Sequence, residues 1–355
     1  MGIIYIIGDF KKMKKIFLPA LIILLASVAF AQEQQAQMTY AHSPIKCVLK
    51  NYFSIKNTSN REVVDLKIKV LVGNDDSLYQ EPIETIVTPE PTEWNTDQLG
   101  NKYAIIDVKS LPAGREQQVI IERSSVNYAI AFDKSIYDIK DDFSDFLENP
   151  KNLQYLLPSK GIESDNEIFI TDVKDIDNSY SATHRAFGIF TYVNISMTYD
   201  TDTSYANTSA LVGRTSKRGV CTEFAGVFVA LCRANGIPAR IVSGYWPQKD
   251  FRSGVEETFA SSARHSWAEF YVPTVGWVPA EPSSISTLND IRVSSYNDFA
   301  AISPNSRHYV YSYGLEKEKN GNIAINYSYL GEKTNATLVS VSLFKESITA
   351  TPYEE

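Results

Sequence analysis

The sequence predicts an α+β fold in which a β-rich N-terminal region precedes a mixed region of helices and strands. Residues 64–70 alternate apolar and polar side chains, which is the pattern of a half-buried strand. Residues 224–231 instead carry apolar side chains three and four positions apart, which is the spacing of a helix with a buried face. A strand-like pattern returns at residues 336–343, so we expect further strands at the C-terminal end.

Length and composition limit the possible classes of protein. At 355 residues the chain has room for about two domains. Its 44% apolar and 21% charged residues are sufficient for packed cores and exclude wholesale disorder. The net charge of −8 argues against a nucleic-acid partner, because binding a phosphate backbone requires a basic surface.

The cysteine content gives little support for metal or disulfide chemistry. Three cysteines are too few for a disulfide scaffold or a four-cysteine zinc site. The sequence also lacks a calcium-binding loop of the D-x-D-x-D-G type and any histidine-rich or paired-cysteine metal motif. We therefore predict neither a metal nor a cofactor.

The N-terminus has the pattern of a secretory signal. A basic stretch at residues 11–15 precedes an apolar run at residues 16–31, which ends in a small-x-small cleavage motif. An uncleaved membrane anchor is the alternative, but a spanning helix needs about 20 apolar residues, and this shorter run contains Pro19. We therefore predict that residues 1–31 are a cleaved signal peptide and the only membrane contact, with Met13 as a second candidate start. The mature protein is expected to be exported to the periplasm or the extracellular space.

Residues 38–135 are predicted to form a β-sandwich of the immunoglobulin-like type. Strand patterns occur at residues 64–70, 103–108 and 118–122, and turn-forming Gly, Asn, Asp and Pro residues separate them. Several short strands at this spacing are typical of two packed sheets. Residues 136–315 are then a second domain.

The C-terminal part, residues 316–355, is predicted to be a β-hairpin extension. Residues 323–329 and 336–343 have strand patterns, and Gly331 lies between them in a turn-forming segment. Because consecutive strands commonly lie side by side, we expect these two strands to pair with each other.

Cys221 is the strongest candidate for a reactive side chain. The helical pattern begins near Gly219, which places this cysteine in the first turn, where backbone N–H groups and the helix dipole favour an anion. The glycine also suggests a position where another group approaches closely. Cys232 lies in the middle of the same helix among apolar residues and is interpreted as a packing residue. About 16 Å of helix separates the two cysteines, too far for a disulfide, so we expect Cys221 to be free.

His265 and Glu281 complete a set of residues that could activate this thiol. His265 belongs to a strand pattern at residues 263–272, and Glu281 follows a second strand pattern that begins at residue 276. Adjacent strands would bring the two side chains together. A thiol nucleophile needs a base, and the base needs a group that orients it. Residue types alone give weak support, since most chains of this length contain a Cys, a His and a Glu.

The residues around these three side chains make the assignment stronger. The shared features are a helix that carries Cys221, a Gly-Ile-Pro-Ala-Arg turn at residues 236–240, a His-x-Trp-x-Glu strand at residues 265–269 and a Gly-Trp strand with an acidic residue and Pro at residues 276–282. Through them, residues 219–282 resemble the core of the transglutaminase-like superfamily, and a weaker similarity extends back to about residue 150. The resemblance implies a papain-like transglutaminase core in the second domain, with Cys221, His265 and Glu281 as its catalytic residues. Part of the N-terminal region is also similar to the β-domain that precedes this core in some bacterial and archaeal members.

One residue departs from the family pattern. Members usually have Asp at the third catalytic position, and this chain has Glu281. A Glu can orient an imidazole by the same ionic hydrogen bond, but its extra methylene moves the carboxylate by about a bond length, and catalytic geometry is sensitive at that scale. The substitution could be tolerated, slow the enzyme or mark an inactive site. We take Glu281 as the third residue.

The resemblance implies acyl transfer on protein or peptide amides through a thioester at Cys221. Water as the acceptor would make the protein a cysteine protease or amidase, whereas a lysine acceptor would make it a cross-linking transferase. The three catalytic residues do not distinguish these activities. The alternative is a non-catalytic protein that keeps the scaffold as a peptide-binding groove or as an envelope-structural element. In each case the expected partner is a protein or a peptide.

Overall fold

The computed structural model describes residues 38–40, 44–202, 204–246, 257–258, 264–284, 286–288, 291–293, 298–302, 308–315, 327–330 and 339–353. The predicted signal peptide lies outside these residues. Among the helices of the described part, none is both long and apolar enough to cross a membrane.

The described strands are, in chain order, β1 (Met38–Tyr40), β2 (Ile45–Asn57), β3 (Val63–Gly73), β4 (Gln80–Thr88), β5 (Glu93–Thr96), β6 (Lys102–Leu111), β7 (Glu116–Asn127), β8 (Ile130–Phe132), β9 (Thr198–Tyr199), β10 (Arg218–Gly219), β11 (Ala239–Tyr245), β12 (Glu257–Thr258), β13 (Arg264–Val272), β14 (Gly276–Ala280), β15 (Ser286–Leu288), β16 (Ile291–Val293), β17 (Ala301–Ile302), β18 (Tyr309–Tyr313), β19 (Tyr327–Leu330) and β20 (Val339–Pro352). The α-helices are α1 (Ser144–Leu147), α2 (Glu167–Val173), α3 (Ala182–Ser196), α4 (Ala210–Ser216) and α5 (Cys221–Ala234), and 3₁₀ helices span Lys134–Asp138 and Pro150–Tyr155. The protein is therefore a strand-rich mixture of helices and strands, in agreement with the predicted class.

Two antiparallel sheets form what we call the β unit. One has the order β12–β20–β2–β7–β4, and the other has the order β19–β3–β6–β5. Their side chains share one hydrophobic cluster, which includes Phe53 and Val119 of the first sheet and Ile68 and Ile106 of the second. Burial of apolar residues on the inner faces holds the sheets together. The three predicted strands are present as β3, β6 and β7, while the immunoglobulin-like type of the sandwich stays a prediction.

The predicted C-terminal hairpin is wrong. β19 pairs with β3, with Tyr327 opposite Val70, and β20 pairs with β2, with Ala350 opposite Cys47. The two strands therefore lie in different sheets. Without them, β3 and β2 would be edge strands with unpaired backbone groups, and each C-terminal strand covers one of these edges. The segment around Gly331, predicted as the turn, lies outside the described residues.

The second region is built on an antiparallel sheet with the order β14–β13–β11–β18. α5 packs on this sheet, and Phe224 and Phe228 of the helix share a cluster with Ile241 and Phe270 of the strands. The sequence predicted one buried face, but every residue of α5 from Cys221 to Arg233 is buried. The reason is that α2, α3 and α4 also pack against α5.

Polar side chains join the β unit to β18, the edge strand of the core sheet. Gln80 donates to the carbonyl of Val310 at 2.9 Å and accepts the N–H of the same residue at 2.7 Å. Asn101 forms the equivalent pair of bonds with Tyr313, at 2.8 and 2.9 Å. These amides satisfy the backbone of an edge strand as a neighbouring strand would, and they fix the position of β18 relative to the β unit.

Candidate active site

Cys221 is the first residue of α5 and is a free thiol that is 8% exposed. Both its place in the first helical turn and its free state were predicted. Glu223 fixes the start of the helix, because its carboxylate accepts the N–H of Val220 at 3.0 Å and the hydroxyl of Thr208 at 3.2 Å. The thiol is thereby held at the positive end of the helix dipole.

Gly219 makes this helix start possible. A Cβ atom at this position would lie 2.5 Å from the Cβ of Glu223 and 2.6 Å from its Cγ. Because both distances are far below van der Waals contact, a side chain at position 219 would displace Glu223. The close approach that the sequence suggested is therefore present, and the approaching group belongs to α5.

The pairing of β13 with β14 brings His265 and Glu281 together. His265 is the second residue of β13, and Glu281 directly follows β14, whose last residue Ala280 lies opposite Ala268. Nε2 of His265 is hydrogen-bonded to Oε2 of Glu281, and both side chains are buried. The same imidazole interacts with the thiol of Cys221. The structure thus brings the three predicted side chains into one site.

The electrostatics of this site favour a charged His265. Burial by itself would lower the pKa of His265, but the carboxylate of Glu281 and then the thiol of Cys221 raise this pKa to about 10. Burial would raise the pKa of Glu281, but the imidazole of His265 holds it well below its usual range. At neutral pH the pair is therefore an imidazolium bound to a carboxylate. A cation next to sulfur is the environment in which reactive thiolates occur.

The carboxylate of Glu281 is held at both of its oxygens. Oε1 accepts the backbone N–H of Ser283 at 3.1 Å and also the hydroxyl of that serine. Oε2 is bonded to His265 and lies 3.5 Å from Nε2 of His308, whose ring is buried. Both carboxylate oxygens of Glu281 therefore have contacts with neighbouring side chains.

Neither Ser283 nor His308 was predicted from the sequence as a site residue. Ser283 lies two residues beyond Glu281, and a short polar side chain in a turn commonly bonds to a neighbouring group, so a local signal was present. His308 lies beyond the region of resemblance. Only its rarity, as one of four histidines, could have directed attention to it.

Tyr199 is a further residue of the site that sequence analysis missed. β9 pairs in parallel with β10, which places Tyr199 opposite Gly219, next to the start of α5. Its hydroxyl interacts with the backbone N–H and the thiol of Cys221. Burial and then the nearby Cys221 raise the pKa of Tyr199 to about 12, so the hydroxyl keeps its proton at neutral pH. Strands of two residues have no periodicity, so the sequence carried no signal for this pairing.

Two tryptophans enclose the imidazoles. The ring centroid of Trp246 lies 4.9 Å from that of His265 and 5.6 Å from that of His308, while Trp267 lies 4.5 Å from His308. Aromatic rings exclude water and so strengthen the ion pair. The ligand atoms of His265, Glu281 and His308 lie within 4.8 Å of one another, and these residue types also suit transition metals. The absence of a metal from the functional protein stays a prediction.

Comparison with known protein families agrees with this geometry. The model of the family described as the transglutaminase-like superfamily matches residues 173–282. This segment contains Cys221, His265 and Glu281. It extends the region of clear resemblance, which the sequence motifs placed at residues 219–282, towards the N-terminus.

Curated relatives match shorter parts of longer proteins. The uncharacterized protein YebA of Bacillus subtilis is 24% identical over 253 residues, which are 65% of this chain and 32% of that protein. An uncharacterized protein of Haemophilus influenzae is 34% identical over 93 residues, which are 23% of this chain and 25% of that protein. The protein-glutamine gamma-glutamyltransferase of Pseudomonas aeruginosa is 32% identical over 68 residues, which are 19% of this chain and 10% of that protein. The chain therefore spans a third or less of each of these relatives.

A solved structure supports the fold over most of the chain. It is that of a provisionally assigned cysteine protease from Cytophaga hutchinsonii, which superposes with a TM-score of 0.56 at 15% identity. The superposition covers 90% of this chain and 94% of that one. Residues 173–282 are therefore the part of the chain that matches the transglutaminase-like superfamily, and the superposition supports the fold around this core.

Proposed function

We propose that this protein is an exported thiol enzyme that forms a thioester between Cys221 and the acyl group of a protein or peptide amide. The observation that supports this most strongly is the buried contact of His265 with Glu281 next to the thiol at a helix start. A cysteine sulfur, a histidine that holds a proton and a fixed carboxylate are the set that covalent acyl transfer requires. A purely structural ion pair would not need a titratable cation beside a nucleophile.

In the first half-reaction His265 holds the one proton that it shares with Cys221, and the sulfur of Cys221 attacks the carbonyl carbon of the amide. A C–S bond forms, and the carbonyl electrons move to the oxygen. We assign the backbone N–H of Cys221 and the hydroxyl of Tyr199, which lie next to the sulfur, as the donors to this oxyanion. Collapse of the intermediate breaks the C–N bond, and His265 gives its proton to the departing amine, which leaves a thioester and a neutral imidazole.

In the second half-reaction water or an amine attacks the thioester, and the neutral His265 accepts the proton of this nucleophile. The C–S bond breaks, the sulfur takes the electron pair, and a carboxylic acid or a new amide is released. The imidazolium and the thiolate are thereby restored. Glu281 stays ionised and keeps the ring of His265 oriented in both steps.

The choice between hydrolysis and transfer depends on which acceptor reaches the thioester. One relative is named a transferase and one structural neighbour a protease, so similarity favours neither acceptor. A non-catalytic peptide-binding or envelope-structural protein is the alternative. Its main support was Glu281 in place of Asp, and the contacts of that carboxylate with Ser283 and His308 weaken this support.

The test uses the chain without residues 1–31, a glutamine-rich protein and a fluorescent primary amine. Incorporation of the amine would identify a transferase, and cleavage or deamidation would identify a hydrolase. Cys221→Ala is expected to remove either activity, whereas Cys232→Ala, the same change on the same helix, is expected to retain it. The proposal is wrong if the parent protein shows no more amine incorporation, cleavage or deamidation than Cys221→Ala.

Export is a separate part of the proposal, and it is supported by the N-terminal sequence pattern. The full chain is expressed in a bacterium with two membranes, and the cell fractions are analysed by N-terminal sequencing. We expect a periplasmic or secreted product that begins at Gln32. A product that stays in the cytoplasm with residues 1–31 attached would contradict export.

A further inference from the structure

His308 is a buried histidine close to the active site for which the mechanism above has no role. Its side chain is 3% exposed. Its ring is stacked on Trp246, with centroids 5.6 Å apart and an angle of 16° between the planes, and Trp267 meets it edge-on at 4.5 Å. Nε2 of the ring is directed at Glu281, 3.5 Å from Oε2. The ring is thus held in one orientation by packing, with a polar atom facing the catalytic carboxylate.

The carboxylate of Glu281 needs such support because a Glu has one more rotatable bond than an Asp. Ser283 holds Oε1, and Oε2 is bonded to His265, whose bond to this oxygen weakens when the imidazole gives up its proton. A second N–H donor on Oε2 keeps this oxygen in place during that step. We propose that His308 is a positioning residue that fixes Glu281 against His265 and so allows a Glu to serve as the third member of the catalytic set. This inference rests on the function proposed above.

The β unit determines where His308 lies. The carbonyl of His308 accepts the side-chain N–H of Asn127 at 3.1 Å, and Asn127 also donates to Gln80 at 3.0 Å. Gln80 in turn bonds to both backbone groups of Val310. The backbone of His308 and of Val310, two residues further on, is therefore held by the β unit. Through these contacts the β unit acts on the catalytic carboxylate, although none of its described side chains contacts the thiol or its base.

The first measurement is an NMR titration of the His265 ring, in which activity plays no part. All proteins carry Cys221→Ala, so that the groups facing His265 are Glu281 and His308. His308→Phe keeps an aromatic ring between the tryptophans but removes the donor, and it is expected to lower the titration midpoint of His265 by about one pH unit. His308→Gln keeps an N–H donor and should restore most of the midpoint.

His184→Phe is the matched control, because His184 lies on α3, where its ring packs against Tyr137. It should leave the midpoint of His265 unchanged. A His308→Phe midpoint equal to that of the parent would overturn the proposal. So would a His308→Gln midpoint as low as that of His308→Phe, because packing rather than hydrogen bonding would then be responsible.

The second measurement is kinetic and uses the proteins with Cys221 intact. We expect His308→Phe to lower kcat about tenfold with little change in KM, and His308→Gln to recover most of kcat. An unchanged kcat in His308→Phe would contradict the proposal. If the parent itself shows no turnover, the proposed function fails, and the NMR titration still decides the role of His308.

A third variant covers the case in which His308→Phe does not fold. Asn127→Ala leaves the histidine in place but removes the bond that holds its carbonyl. It is expected to lower both the His265 midpoint and kcat, by less than His308→Phe does in a folded protein. If Asn127→Ala changes neither quantity, the β unit does not position His308.

Discussion

Two buried ion pairs each have one member on β13, and only one of the pairs is suited to proton transfer. His265 and Glu269 are four residues apart on β13 and both are buried. His265 pairs with Glu281, and Glu269 pairs with Arg240, whose Nε donates to it at 2.6 Å. Arg240 is 1% exposed and Glu269 is fully buried, so the second pair is at least as well enclosed as the first.

The pair of Arg240 with Glu269 joins the β unit to the core. Arg240 also donates to Asp76 of the β unit at 2.9 Å, and its guanidinium lies 3.6 Å from the ring centroid of Tyr313. Tyr79, also from the β unit, donates to Glu269 at 2.6 Å. Asp76 and Tyr79 therefore tie this pair of the core sheet to the β unit.

The difference between the pairs is the cation. A guanidinium stays protonated under all conditions in which a protein is folded, so Arg240 can stabilise charge but cannot transfer a proton. An imidazolium can give up its proton and take it back, and His265 lies next to a thiol. Burial and pairing alone do not identify an active site. A titratable cation beside a nucleophile does.

The largest expected difference between the two pairs is their effect on kcat. His265→Gln should lower kcat by about 10³-fold, because the base and acid of both half-reactions are lost. Glu269→Gln should leave the kcat of the folded protein within about twofold of the parent, because Glu269 does not contact the reacting atoms. Steady-state kinetics of the two variants checks this. A similar loss of kcat in both variants would mean that the two ion pairs do not differ in their role in catalysis.

The next largest expected difference between the two pairs is in the free energy of unfolding. Glu269→Gln should lower the free energy of unfolding by about 3–5 kcal/mol, because it leaves the buried Arg240 without its main counter-charge. Glu122→Gln is the matched control, since Glu122 pairs with Lys50 at 3.0 Å on the surface, and it should cost less than about 1 kcal/mol. Urea unfolding measures both. Equal losses would mean that the buried pair is not structural.

A smaller effect concerns the helix start that holds the thiol. Gly219→Ala should lower the free energy of unfolding by about 1–3 kcal/mol and also reduce kcat, because the new methyl group would displace Glu223. Gly188→Ala, within α3, is the control, since its Cβ would meet no atom within 4 Å. That change should stabilise the protein by about 0.5–1 kcal/mol. Thermal unfolding and kinetics of the two variants distinguish steric displacement from a general effect of alanine.

The last effect is a pH dependence of stability that only the histidine pair should have. The pKa of His265 is raised from its ordinary value of 6.5 to about 10, so the folded state binds this proton more tightly than the unfolded state does. Its contribution to stability is complete below about pH 6.5 and is lost as the pH rises towards 10, by at most about 1.4 kcal/mol per pH unit.

Unfolding of the parent and of His265→Gln, measured between pH 6 and pH 10, should therefore show a stability difference that shrinks as the pH rises. The difference between the parent and Glu269→Gln should stay constant over the same range, because Arg240 does not titrate there. A constant difference for His265→Gln would show that its pKa is not raised.

The structural features that the sequence predicted are local. The start of α5 at Cys221 follows from a few consecutive residues, and the approach of His265 to Glu281 follows from the pairing of two strands separated by a short turn. Such features depend on spacing along the chain, which the sequence displays directly.

The parts that the sequence did not predict depend on contacts between distant segments. The last strands pair with β2 and β3 rather than with each other, because those edges become available only when the β unit has formed. Tyr199 and His308 reach the site from before α5 and after β14, through pairings with no periodic signal. Asp76 meets Arg240 only because the β unit packs against the core sheet.

The most direct test of the central claim is the rate at which Cys221 reacts with iodoacetamide at neutral pH, followed by mass spectrometry of the peptide that contains it. The contact of His265 and Glu281 next to the sulfur predicts that both His265→Gln and Glu281→Gln lower this rate, whereas Glu269→Gln should react as the parent does. A rate that neither His265→Gln nor Glu281→Gln changes would contradict the claim.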